Sequence, residues 1–206
     1  MAGYLFWRVN MSKRVERIFW LVTVVALGIY GLSIAETWLY QTYLAREFAQ
    51  TSKPLAPTRS SGILPKVALD RGKLSEGQPI GRLEIPAIHL SAMIAESVET
   101  TTLRRSIGHM PGTSLPGGQG NVVVAAHRDT FFRHLGKLQK GDLISIATLD
   151  GTFDYAVESE SIIDPDEKIV LREIGRPTLT LITCYPFYFV GLAPKRFVVH
   201  AGLVTY

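Results

Sequence analysis

A thiol attacks only as its thiolate, so a cysteine that does chemistry needs a base or ion-pair partner. It also needs donors for the charge that develops on an attacked carbonyl. The chain has a single cysteine, Cys184, which ends the apolar run TLTLITC and is followed by Tyr185-Pro186. That is where a buried strand stops and a loop begins, a rigid mount with access. A lone cysteine also forbids an intrachain disulfide and any cysteine-based zinc cluster. Five histidines are available as partner. His127 follows the apolar strand NVVVAA in the same strand-end setting as Cys184, and two strand ends can face each other at one rim. His109, in the turn-forming GHMPGT, is the alternative; His89 and His200 lie within strand-like runs and His134 in a short helical piece. Arg196 stands twelve residues after Cys184, across the loop YPFYFVGLAPK, and opens the run RFVVHAGLV. Its always-charged fork can hold a carbonyl oxygen or stabilise a thiolate.

The elements that must position these residues are short. Runs of alternating or apolar residues recur between turn residues: PIGRLEIP, IHLSAMIAE, NVVVAAH, DLISIAT, TFDYAVES, LTLITC and RFVVHAGLV. This punctuation predicts strands and a closed or nearly closed β-barrel. Asp150-Gly151, between two alternating runs, predicts a tight hairpin turn. Only TTLRRSIG and FFRHLGKL read as helical, each about two turns long.

The N-terminal region is different in kind. Between Arg17 and Glu36 lie eighteen residues without a charge, IFWLVTVVALGIYGLSIA. At about 1.5 Å per residue they reach across a hydrocarbon layer of about 30 Å. Arg8, Lys13, Arg14 and Arg17 precede the run with only Glu16 against them, which places the N-terminus in the cytoplasm. Trp20, Trp38, Tyr40 and Tyr43 flank it, as rings do at the headgroup level. Residues 1–17 are therefore read as a cytoplasmic N-terminus, 18–35 as a transmembrane signal-anchor helix and 36–60 as a helical extension and linker. The linker is TSKPLAPTRSSG, rich in proline and serine. Residues 61–206 form the extracytoplasmic domain, expected to fold without what precedes it.

Charge supports this division. The chain carries 22 Lys and Arg against 18 Asp and Glu; residues 1–60 hold seven of the former and three of the latter, leaving fifteen of each for the domain. A balanced domain has no basic face for nucleic acid, and a charged fraction of 19% with 47% apolar residues excludes a disordered chain. A cysteine endopeptidase and a catalytically silent membrane-tethered module fit these features as well.

The residues converge on a family. Thr180-Leu181-Ile182-Thr183-Cys184 resembles the TLxTC signature of sortases, with His127 fifty-seven residues before the cysteine and Arg196 twelve after it. The blocks GHMPGTSLPGGQGN, AAHRDTFFR and TCYPFYFVGLAPKRFVVHA are most similar to class D sortases, over about Pro79 to Val204. Ala126 departs from the glycine that many relatives place before the histidine. The resemblance implies an all-β fold, an eight-stranded sortase-type β-barrel with one or two short helices, preceded by a single N-terminal transmembrane helix. It implies a cysteine transpeptidase acting on secreted proteins that bear an LPxTG-like sorting motif, with a cell-envelope amine as acceptor. Cys184 would be the nucleophile, His127 the general acid and base, and Arg196 the group holding the substrate and its oxyanion. Thr183 would lie beside the substrate, and the loop 162–177 would wall the groove. No cofactor and no metal is expected, although Glu158, Glu160, Asp164, Asp166 and Glu167 resemble the calcium-binding acids of some sortases.

Overall fold

A computed structural model describes residues 13–51, 74–167, 175–189 and 191–204. Most of the proposed linker, residues 168–174 of the groove loop, and residues 1–12 lie outside them. Eight strands close into a barrel: β1 (Pro79–Ile85), β2 (Leu90–Glu96), β3 (Ile107–His109), β4 (Asn121–Ala125), β5 (Leu143–Thr148), β6 (Gly151–Ile163), β7 (Thr178–Tyr185) and β8 (Lys195–Leu203). Their order round the barrel is β1-β2-β3-β4-β7-β8-β6-β5. Every alternating run of the sequence becomes a strand. The one without a sequence signal is β3, whose three residues are too few to show an alternation. Strand β3 falls at the end of TTLRRSIG, and the helical part of that segment shrinks to one turn, α2 (Thr100–Leu103). The other helical piece becomes a 3-10 turn at Leu135–Lys137.

Alternation divides each strand between the barrel interior and its outer surface. Val122, Val124, Leu179, Leu181, Val199 and Ala201 pack inward with no more than 2% exposure. The β5–β6 hairpin is tight, but the two turn residues are Leu149 and Asp150, not the expected Asp150-Gly151. Thr148 pairs with Gly151, and the Thr148 hydroxyl accepts the Asp150 N–H at 3.2 Å and donates to the Gly151 carbonyl at 3.0 Å. Gly151 takes up the backbone strain just after the turn, at φ +141°.

The N-terminal helix α1 (Lys13–Thr51) is continuous, 39 residues long, and apolar enough over its first part to cross a membrane. Its last part is docked on the barrel. Leu44 is fully buried against Met93 and Ala95 on the outer side of β2, with Tyr40, Ala45 and Phe48 around it. The Gln41 amide side chain accepts the Met93 N–H at 2.8 Å and donates to the Arg105 carbonyl at 2.7 Å. Arg105 reaches Glu36 at 3.0 Å and lies over the Tyr40 ring at 5.4 Å. The helical extension expected after residue 35 therefore acts as a brace against the barrel.

That brace alters the expectation for a truncated domain. Burial of a leucine contributes about 1.5–3 kcal/mol, and a domain of this size shifts its melting point by about 2–4 °C per kcal/mol. A chain starting near Ser60 is expected to fold but to melt about 5 °C or more below one starting at Glu36. Equal melting temperatures by calorimetry would show that α1 docking adds nothing.

Candidate active site

Two strand registers bring the sequence candidates to one end of the barrel. Strands β4 and β7 run parallel, with Val123 level with Thr180 and Ala125 level with Ile182. The register continues past the end of β4, where the Ala126 N–H donates to the Ile182 carbonyl at 3.3 Å. His127 follows that bond by one residue, just beyond the end of β4 and toward the end of β7 that carries Cys184. Strand β8 runs antiparallel to β7 and sets Arg196 directly opposite Cys184. Cys184 and Arg196 thus occupy one rung, and alternation puts both on the outer face, opposite to the core-facing Leu181 and Val199, with His127 just past the end of the neighbouring strand. Each is partly exposed, and Cys184 is a free thiol.

Four residues back along β7, on the same face, lies a largely buried polar network. Thr180, two residues before Ile182 on the same face, donates to Asn121 Oδ1 at 2.9 Å, and Thr178 donates to the same oxygen at 3.2 Å. His200 Nδ1 lies 3.1 Å from the Thr180 hydroxyl, whose proton is committed to Asn121, so Nδ1 donates. Burial holds the His200 imidazole below its ordinary value, with Glu158 opposing.

Arg196 uses only part of its fork. Nη1 donates to the Lys195 carbonyl at 3.1 Å and to the Ala193 carbonyl at 3.4 Å, and Nη2 and Nε have no partner among the described residues. Those donors are available to an oxyanion. Lys195 is otherwise engaged, with Nζ 2.7 Å from Asp164.

Two sequence candidates are placed elsewhere. His109 sits opposite Val124 on the core side of β3 and is 2% exposed. Its Nδ1 is 2.6 Å from Glu96 Oε2, and its Nε2 is 3.0 Å from both the Ser114 carbonyl and the Thr113 hydroxyl. Both nitrogens are taken up in holding the loop after β3, which leaves none for Cys184. Thr183 is also turned inward, 2% exposed, and its hydroxyl donates to the Ala126 carbonyl at 2.8 Å. It clamps β7 to the residue before His127. Among the acids weighed for calcium, Glu158 forms a two-bond pair with Arg176, at 2.8 and 2.7 Å, and Asp164 pairs with Lys195. Among the described residues no group of three or more His, Cys, Asp or Glu could hold a metal ion.

One residue at the site escaped the sequence reasoning. Arg128 donates to the Pro186 carbonyl at 3.0 Å, the Phe189 carbonyl at 2.7 Å and the Gly191 carbonyl at 3.0 Å, and lies 5.8 Å over the Phe189 ring. It ties the segment that carries His127 to the loop that joins Cys184 to Arg196. A planar five-donor fork suits three converging carbonyls. The available signal was a basic residue directly after a candidate histidine, facing a loop too rich in Pro and Gly to form regular hydrogen bonds of its own.

The family model for the sortase domain matches residues 83–204, which contain the whole rung. The chain belongs to the sortase family. Sortases are transpeptidases with a catalytic cysteine that anchor proteins to the cell wall. This chain is 32% identical over 200 residues to Sortase D of Bacillus subtilis, covering 95% of this chain and all of that relative. Its fold is similar to a solved Clostridium perfringens Sortase D5 transpeptidase, with a TM-score of 0.59 and 31% identity over 65% of this chain and 83% of that one. It is also similar to a Clostridium perfringens sortase C solved with the C-terminal cell wall sorting motif. There the TM-score is 0.60 and the identity 26%, over 84% of this chain and 88% of that one. The sortase-type eight-stranded barrel and the likeness to class D sortases are as the sequence implied.

Two outcomes follow from the site's surroundings. Replacing Arg128 by Lys removes the fork but keeps the charge. Amide exchange across residues 187–191 should quicken about tenfold or more, given about 1.5–3 kcal/mol for a hydrogen bond to a charged group. Unchanged exchange would mean that other contacts hold the loop. For His200 the folded state binds a proton less readily than the unfolded chain. Its contribution is therefore full above the ordinary value of 6.5 and is lost as pH falls below it toward the depressed folded value. His200→Asn keeps a donor near Thr180 without a titrating ring, and it should flatten the stability curve in that window; an unchanged slope would assign the acid sensitivity to other groups.

Proposed function

We propose that the chain is a membrane-anchored cysteine transpeptidase that cleaves an LPxTG-like sorting motif through a thioacyl intermediate on Cys184. The acyl group passes to a cell-envelope amine. The observation that supports this reading is the pairing of Cys184 with Arg196 across β7 and β8, with His127 just past the end of the adjacent strand β4. The sorting motif bound to the Clostridium perfringens sortase C supports a peptide of that type as the substrate.

The Cys184 thiolate attacks the carbonyl carbon of the scissile peptide bond, and the carbonyl oxygen takes the electron pair. The free donors of Arg196 hold that oxyanion. His127, as imidazolium, gives its proton to the departing amine as the tetrahedral adduct collapses to a thioester. An envelope amine then attacks the thioester, gives its proton to the neutral imidazole, and returns Cys184 to the thiolate. The apolar helix keeps this chemistry at the membrane. The cationic flank supports an N-terminus in the cytoplasm and a barrel outside it.

Single-turnover acylation by a sorting-motif peptide tests the roles. Cys184→Ala should give no acyl-enzyme with little change in melting temperature, since a partly exposed strand-end thiol contributes little packing. His127→Ala should lose about 10²–10⁴-fold in turnover. Arg196→Lys keeps a charge but not the fork and should lose about 10²–10³-fold, while Lys195→Ala stays near the parent rate. Addition of a soluble amine should divert the thioester to an amide product. A product mixture indifferent to the amine would make the chain a hydrolase, and an active Cys184→Ala variant would end the enzyme reading.

A further inference from the structure

A cleft of about 880 Å³ lies between α1 and the barrel, on the side of His127. Its helix wall is one stripe of α1, with Tyr30, Ile34, Thr37, Trp38 and Gln41 at helical spacing. Tyr30 and Ile34 belong to the last turns of the apolar run that ends at Ala35. Thr37 and Trp38 follow, and Gln41 already touches the barrel. The cleft therefore straddles the level at which the helix leaves the hydrocarbon layer. Its barrel wall carries Arg82, Arg104 and Arg133, against one acid, Asp129. None of the three arginines has a side-chain hydrogen bond or ion pair among the described residues, in contrast to Arg105, which pairs with Glu36.

A smaller hollow of about 260 Å³ continues past Thr37, Arg104 and Arg133 to His134. His134 Nδ1 is shielded there, with no hydrogen-bond partner among the described residues. Three arginine forks against one carboxylate, at headgroup depth beside an apolar stripe, match a ligand with a phosphate at one end and acyl chains at the other.

Building on the membrane-anchored reading above, we propose that this cleft binds the headgroup phosphate of an anionic phospholipid. Arg82, Arg104 and Arg133 hold the phosphate, and the acyl chains lie along Tyr30 and Ile34. A lipid seated there fixes the tilt of the barrel over the bilayer and keeps the His127 side of the domain against the membrane surface.

Trp38 lines the cleft and serves as reporter. The chain has three tryptophans, so replacing Trp7 and Trp20 by Phe leaves Trp38 alone. The full chain in neutral phosphatidylcholine nanodiscs would be titrated with short-chain phosphatidylglycerol, short-chain phosphatidylcholine and glycerol 3-phosphate. A saturable change in Trp38 emission is expected with phosphatidylglycerol and not with the other two. Each arginine changed to Gln should weaken it about fivefold. Asp129→Asn should tighten binding, a sign that misfolding does not produce. The proposal falls if phosphatidylcholine binds equally, if glycerol 3-phosphate alone saturates the site, or if the Arg104→Gln and Arg133→Gln chains bind as the parent does. Resistance of the chain to alkaline extraction from membranes tests the anchoring reading separately. A firmly embedded chain with no preference for phosphatidylglycerol overturns this proposal alone.

Discussion

The parallel pairing of β4 with β7 is the constraint on which the site depends. The two strands lie fifty-seven residues apart in sequence, yet five successive residue pairs hold one register, from Asn121 with Thr178 to Ala125 with Ile182. A slip of one residue would turn Cys184 toward the core and Thr183 outward, because side chains alternate with a period of two. Two devices oppose that slip. Val122, Val124, Leu179 and Leu181 fill the interior, and the two leucines would leave it together. On the outer face, Asn121 gathers the hydroxyls of Thr178, level with it, and of Thr180, two residues on, which this register brings within reach. The Thr183 bond to the Ala126 carbonyl then carries the register one step beyond the ladder, to the residue before His127.

With the register fixed, the remaining freedom lies in the loops, and these are fastened by groups of different kinds. Arg128 holds the loop after β7 by three carbonyls. Beneath that loop the rings of Tyr185, Phe187 and Phe197 pack at centroid distances of 5.3–6.2 Å. At the other end of β4, the pair of His109 and Glu96 holds the loop after β3, and the Gly117 N–H bonds to the Tyr155 hydroxyl at 3.1 Å. The Gly117 position accepts only glycine: φ is +77°, and a Cβ there would lie 2.2 Å from the Phe153 ring.

What could be read in the sequence follows from the range of each interaction. Seven strands were legible because alternation is local, and β3 was not because three residues carry no period. The placement of Cys184, His127 and Arg196 at or just past strand ends was legible because such ends announce themselves by apolar runs next to turn residues. The inward turn of Thr183 follows from counting in twos from Leu179, yet its motif neighbourhood suggested a contact with substrate. His109 looked like a rival because a turn histidine is often free; its commitment to Glu96, thirteen residues away on the neighbouring parallel strand, is a tertiary fact. The docking of α1 was hidden for a related reason. Leu44 and Tyr40 read as part of one long apolar helix, and nothing local distinguishes a face for lipid from a face for Met93.

The outer-face location also separates reactivity from stability. Leu181 and Val199 belong to the core, whereas Cys184 and Arg196, three residues away on the same strands, contribute little to it. The chemistry can therefore demand a free thiol and a partly unsatisfied guanidinium without opening a cavity or burying an unpaired charge. The cost is displaced to the polar network, where Asn121, Thr180 and His200 are polar groups in a largely buried layer and must satisfy one another. Such a layer tolerates little change in shape or protonation, which ties part of the stability of β4, β7 and β8 to its remaining neutral and complete.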